Sequence, residues 1–278
     1  MNYIDFPLEK WTNSFVDDWL IPVFGGFFDS IGNVIEVFIE GVTDLLIVIP
    51  AEIMAILFII LAWRYAGRGT AIFTLIGVLY LGSVDLWAES MQTLAVVVVA
   101  TIFSIVIGIP IGIWSAKSNV VDRIVRPVLD FMQTLPSFVY LIPTILLFGL
   151  GPVPAVISTF VFATPPAVRM ANLGIRQVPS DVVEAARAFG STSWQMLTKV
   201  QLPMAVPTIM AGVNQTIMLA LSMAVIASMI GAPGLGTIVL AGISRVNFGL
   251  GLVGGLGIVV LAIILDRITQ GLGQKKRV

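Results

Sequence analysis

Apolar runs of about 20 residues recur along this chain, each long enough for a helix to cross the hydrocarbon core of a bilayer. Lipid offers no partners to backbone N–H and C=O groups, so each run has to satisfy them within itself as a helix. The composition agrees: 58% of residues are hydrophobic and 11% charged, with a mean hydropathy of +1.01. The expected fold class is an all-α polytopic membrane protein. Spans are placed near residues 45–63, 70–87, 91–115, 129–149, 152–168, 204–230 and 250–267, seven in all.

Charge sets the orientation. Lys and Arg favour the cytoplasmic side of short loops. With seven spans, Arg64, Arg68, Lys117, Arg123, Arg126, Arg169, Arg176, Arg187, Lys199, Arg267, Lys275, Lys276 and Arg277 all fall on one face. Only Lys10 and Arg245 fall on the other, with Asp5, Glu9, Asp17, Asp18, Asp29, Glu36, Glu40 and Asp44. The N-terminus is therefore expected outside and the C-terminus inside; an even number of spans would break the segregation.

The first ten residues carry Asp5 and Glu9 and lack a basic region followed by an apolar core, so they do not read as a cleavable signal peptide. Phe24, Phe27, Phe28, Ile31, Val34, Ile35, Phe38, Ile39 and Val42 recur at helical spacing with acidic residues between them. This predicts an amphipathic helix at the outer membrane surface, broken from an earlier turn by Pro22 and Gly25-Gly26. Its acidic polar face is wrong for anionic headgroups and suits a scaffold packed along the bundle rim. The expected organisation is an interfacial segment over 1–44, two accessory spans over 45–87, and a five-helix core over 88–278.

Catalysis is disfavoured. With no cysteine and no histidine, the chain lacks thiolate chemistry, the commonest general base and the commonest metal ligands. It contains no Gly-x-x-x-x-Gly-Lys-Ser/Thr loop, and the glycine-rich run at 249–257 lies in a predicted span without a lysine. Any ATP has to be handled by another chain.

One polar stretch interrupts the greasy sequence, over residues 179–203. Pro179 stops the preceding segment, Asp181 with Glu184 fits a capping box, and Gly190 suits the left-handed residue that ends a helix. Ser191, Thr192 and Ser193 can cap a second helix carrying Trp194, Met196, Leu197 and Val200, before Pro203 opens the sixth span. The expectation is a cytoplasmic helix, tight turn and helix, with Ala185 and Ala186 small enough for another protein to approach the backbone and Glu184 supplying a carboxylate.

The spaced string Glu184-Ala185-Ala186, three residues to Gly190, nine further residues, then Val200-x-Leu202-Pro203 resembles the EAA loop of permease subunits of bacterial ATP-driven (ABC) importers. Val200 stands where that pattern usually has Ile. The resemblance implies the type I importer permease core, with Glu184, Ala185, Ala186, Phe189, Gly190, Leu202 and Pro203 coupling to the ATPase. The stretches Asp130-Phe131-Met132-Gln133-Thr134-Leu135-Pro136-Ser137-Phe138, Phe162-Ala163-Thr164-Pro165-Pro166, Asn214-Gln215-Thr216 and Gly231-Ala232-Pro233-Gly234-Leu235-Gly236 are similar to glycine betaine and proline betaine permeases. That branch implies a homodimer on two ATPase subunits, fed by an extracytoplasmic binding protein. It also implies that the chain holds no cofactor, ATP and Mg being bound by the partner. Permeases for other small solutes, such as an amino acid or choline, and ion-coupled carriers are the competing readings. Carriers want buried ionisable relays, of which Glu52 is the clear candidate, and its nearness to the outer end favours a structural role.

For the substrate path, Gln215, Met218, Ser222, Val225 and Met229 share one face of the sixth span, with Asn214 adjacent. The same residue types also serve as hydrogen-bonding glue between spans. Phe138, Tyr140 and Phe148 offer faces to a quaternary ammonium, and such aromatics are equally ordinary at bilayer interfaces.

Overall fold

The computed structural model describes residues 7–274, and every regular element among them is helical. The first element among the described residues is a continuous helix, α1 (Leu8–Val48), which meets α2 (Ala51–Ala66) at 98°. The break falls at Ile49-Pro50: the residue before a proline is pushed out of helical geometry, and Ile49 is extended at ψ 125°. The expected first span is thus divided, residues 45–48 ending α1 and the next helix beginning at Ala51. Glu52 lies exposed in the first turn of α2, where unpaired backbone N–H groups favour a carboxylate.

The expected break at Pro22 and Gly25-Gly26 does not occur. The turn before Pro22, Phe15–Leu20, is wound as a π-helix, a register that absorbs the carbonyl clash a proline ring makes four residues back. The two glycines touch nothing within 4 Å and the helix runs straight through them. Ile35 and Ile39 bury one face of α1, while Phe28 meets Phe148 and Phe38 meets Phe103 edge to face at 5.8 and 5.6 Å.

After Gly67, at φ 91°, come α3 (Arg68–Ser83) and the long α4 (Trp87–Lys117). Then α5 (Asn119–Thr134) turns by 108° into α6 (Ser137–Phe148). Leu135 and Pro136 are both extended here, again a proline and its predecessor. The expected span over 129–149 therefore straddles a bend. Its first part belongs to α5, an amphipathic helix in which only Leu129 is buried. Next follow α7 (Pro152–Arg176), α8 (Ser180–Ala188), α9 (Ser193–Ile230), α10 (Leu235–Ser244) and α11 (Phe248–Gln274).

Among the described residues, α4, α7, α9 and α11 are each long and apolar enough to cross a bilayer; taking each bent pair as one crossing makes six, and α3 is apolar but shorter. All seven expected segments fall on helices, two of them interrupted.

Helix α7 sits between α4 and α9, and small residues let the backbones close up. A Cβ on Gly112 of α4 would lie 2.6 Å from Ala171 Cβ, and one on Gly212 of α9 would lie 2.6 Å from Met170 Cβ and 3.0 Å from the Pro166 carbonyl. Because lipid tails are as apolar as leucine, this close packing rather than water exclusion holds spans together. Pro165 and Pro166 are buried in that sandwich, and α7 continues through them. The Gly231 to Gly236 stretch ties the far end together: Gly151 N–H donates to the Ile230 carbonyl at 2.9 Å, and Leu235 N–H donates to Thr93 Oγ1 at 2.8 Å.

Candidate coupling loop and translocation face

Pro179, extended at ψ 135°, occupies the N-cap of α8 with no side-chain cap. The expected Asp181–Glu184 capping box does not form, because Asp181 already lies inside the first turn and cannot reach back. It contributes there as a negative charge at the helix start. The C-terminus behaves as expected. Gly190 takes φ 78°, its N–H donates to the Arg187 carbonyl at 2.9 Å, and Ser191 N–H donates to the Ala186 carbonyl at 3.1 Å, the paired bonds of a Schellman cap. A capping box does form on the second helix, with Thr192 N–H donating to Gln195 Oε1 at 2.9 Å and Gln195 N–H donating to Thr192 Oγ1 at 3.3 Å.

Pro203 does not begin a new element. A π-wound turn, Met196–Gln201, precedes it, as at Pro22, and the helix from Ser193 to Ile230 is one rod of 38 residues. Helix α8 rests on that turn, where Met196 and Leu197 are buried. The second arm of the loop is therefore rigidly continuous with the membrane helix.

The loop brings together part of the predicted set. Glu184 and Ala185 are exposed, Ala186 is half-buried, and Glu184 borders a basin of about 630 Å³ with Lys117, Arg187 and Ser191. Phe189 is 91% exposed, as is Trp194 at 72%, an aromatic that the spaced string does not include. Two large aromatics flank the Gly190 turn, and among the described residues nothing covers them. Leu202 packs against the core instead, while Pro203 is exposed.

Four of the five predicted path residues lie on one bare face of α9, and the fifth, Val225, is half-buried. Gln215, Met218, Ser222 and Met229 are exposed, whereas Thr216, Ala220, Met223 and Ala227 on the opposite side are fully buried. Asn214 turns away and donates to Asp266 Oδ1 at 2.9 Å. The aromatics separate. Phe138 is exposed, but the Tyr140 ring is buried against Phe162 at 6.0 Å and its hydroxyl donates to the Met132 carbonyl, stapling the α5–α6 bend. Phe148 is engaged by Phe28 of α1. Among the described residues no group of His, Cys, Asp and Glu is arranged to hold a metal.

Sequence reasoning missed Asp266 as a carboxylate held within a span. It bonds Asn214 and, through Gln270 Nε2, a second amide at 2.7 Å. The spacing Asp266–Gln270 on one helix face was the available signal.

Bent and upright apolar helices around an α4–α7–α9 core, with an exposed helix-turn-helix at the basic end, define a polytopic membrane transport component. The chain belongs to the family described as binding-protein-dependent transport system inner membrane component, which matches residues 108–278. The glycine betaine transport system permease protein OpuAB of Bacillus subtilis is 51% identical over 98% of this chain and 96% of its own length. The glycine betaine/proline betaine permease ProW of Escherichia coli is 50% identical over 98% of this chain and 76% of its own. GbuB of Listeria monocytogenes, a glycine betaine/carnitine permease, is 48% identical over 99% of both. A chain of the inward-facing MetNI methionine ABC transporter superposes with a TM-score of 0.59 and 26% identity, over 68% of this chain and 93% of that one. The protein is thus a multi-pass inner-membrane ABC permease with the type I importer fold, a component that works with an ATPase and a binding protein.

Proposed function

We propose that this permease imports glycine betaine, proline betaine or related quaternary ammonium osmolytes as a homodimer on two ATPase subunits, receiving substrate from an extracytoplasmic binding protein. The relatives near 50% identity, named for betaine transport, support the substrate class. The single observation that carries the coupling is the exposed Phe189–Gly190–Trp194 turn, which runs directly into the rod of α9. In this reading α8 inserts into an ATPase groove through Glu184, Ala185, Ala186 and Phe189, and ATP and Mg reside on that partner. The bare face of α9 meets its copy across the dimer, so that Gln215, Met218, Ser222 and Met229 line the path. Phe138 stands beside it, because the Ser137–Tyr140 turn touches α9. Residues 7–44 brace the outer rim, and 88–274 form the working core; the ends of the expected 1–44 and 88–278 segments, with Asp5, Lys275, Lys276 and Arg277, lie outside the described residues.

The test is co-purification with the ATPase, followed by ATP hydrolysis across a panel of betaines, choline and proline delivered by the binding protein. Stimulation by betaines is expected. Stimulation by proline or another amino acid alone would move the chain to a different solute class.

A further inference from the structure

Arg176 is the last residue of α7, separated from α8 by Gln177, Val178 and Pro179. Its side chain reaches three helices. Nε donates to Asn172 Oδ1 at 2.8 Å, and Nη2 donates to the Ser115 carbonyl at 2.9 Å and Asn119 Oδ1 at 3.1 Å. Nη2 also lies 3.6 Å from Asp122 Oδ2. Asn172 Nδ2 in turn donates to Asp122 Oδ1 at 2.6 Å, and Arg126 pairs with Asp122 Oδ2 at 2.8 Å.

The chemistry suits a brace. Ser115 is in the last turn of α4, where carbonyls lack intrahelical partners and a cation is favoured. The guanidinium fork satisfies one such carbonyl while holding the first turn of α5. Asp122 is only 14% exposed, so its bonds are poorly replaced by water. Further along, Arg169 Nη2 pairs with Asp130 Oδ1 at 2.6 Å. Between the two ties lies a cavity of about 400 Å³ bordered by Val125, Leu129, Val168 and Leu173. Polar ties, not close packing, fix α5 to α7.

Helix α5 is the lever that ends in the 108° bend at Pro136. Beyond the bend, Tyr140 and Leu141 pack with Met223, Ala227 and Ile230 of α9. We propose that Arg176, Asp122 and Asn172 are positioning residues that make α5, the end of α7 and the root of α8 move as one body, delivering displacement of α8 to the α5–α6 bend. This rests on the reading of α8 as the ATPase-docking helix.

The experiment uses the full complex of permease, ATPase and binding protein in proteoliposomes, with Arg176→Gln, Arg176→Lys and the near-isosteric Asp122→Asn. Spin labels at Arg123→Cys and Arg187→Cys, both exposed and in a chain without native cysteine, report the α5–α8 distance before and after vanadate trapping. The wild-type distance stays constant on trapping. In Arg176→Gln and Asp122→Asn it shifts, and uptake per ATP hydrolysed falls roughly tenfold, the factor for one lost charge-assisted hydrogen bond, while the ATPase remains bound and active. Arg176→Lys recovers only part of the ratio, since an ammonium cannot reproduce the fork. Wild-type coupling and an unchanged distance in Arg176→Gln and Asp122→Asn overturn the proposal. A separate variant, Glu184→Lys, tests the docking reading: wild-type coupling there refutes docking at α8, whereas wild-type coupling in the Arg176 and Asp122 variants refutes the brace alone.

Discussion

Asn214 on α9 donates its amide to the Asp266 carboxylate on α11 across 2.9 Å, and accepts from Thr269 Oγ1 at 2.7 Å. The two helices are thereby pinned at one height beside a cavity of about 790 Å³ that Gln215 also borders. Replacing Asn214 with Leu removes one donor from Asp266 and the one acceptor of Thr269 that lies on another helix, leaving its hydroxyl to the Leu265 carbonyl at 2.7 Å. The expected loss is about 1 kcal/mol, read as a lower unfolding midpoint in detergent. An unchanged midpoint would mean that the pair does not hold α9 to α11.

Gly190 carries the left-handed turn. Any L side chain at φ 78° pushes Cβ toward the following carbonyl, at a cost of about 1–2 kcal/mol. Since a Cβ there meets nothing within 4 Å, the strain stays local. Gly190→Val should insert normally, retain its helical circular dichroism, and couple ATP hydrolysis to uptake poorly. Normal uptake would detach the Schellman turn from coupling.

Phe189 and Trp194 touch water in the isolated chain, so Phe189→Ser and Trp194→Ser should change permease stability by less than about 0.5 kcal/mol. Aromatic anchors carry a large share of binding energy at interfaces. Each change is therefore expected to weaken ATPase binding by about tenfold, measured by titrating solubilised permease with the ATPase subunit.

The chain's lack of cysteine makes α9 open to direct mapping. Single cysteines at Gln215, Met218 and Ser222 should react with a water-soluble thiol reagent in the assembled complex, at rates that change when nucleotide is trapped. Cysteines at Ala220 and Met223, both fully buried, should remain inert. Protection of the first set in every state would assign that face to a dry dimer contact instead.

Long apolar runs and the Glu184 to Pro203 spacing announced the class and the loop, because hydropathy and turn chemistry are local properties. Gly190 and Thr192 did what their residue types favour. The prolines were harder to read. Pro50 and Pro136 bend the chain, while Pro22 and Pro203 sit in continuous helices relieved by a π turn, and that choice depends on the preceding turn's winding and the packing around it. The Arg176 brace escaped notice for a different reason. Its partners Ser115, Asn119 and Asp122 come from a segment about 60 residues away, and only the α4–α7 packing brings them together. Tyr140 likewise looked available until the bend turned its hydroxyl onto Met132.

The most direct test of the central claim, that an ATPase gripping α8 drives import, is uptake of labelled glycine betaine into proteoliposomes holding the complete complex, with and without vanadate. The account predicts uptake that requires ATP, stops with vanadate, and is lost in Glu184→Lys while the permease stays inserted. Uptake that persists in vanadate and follows an imposed sodium or proton gradient would contradict it.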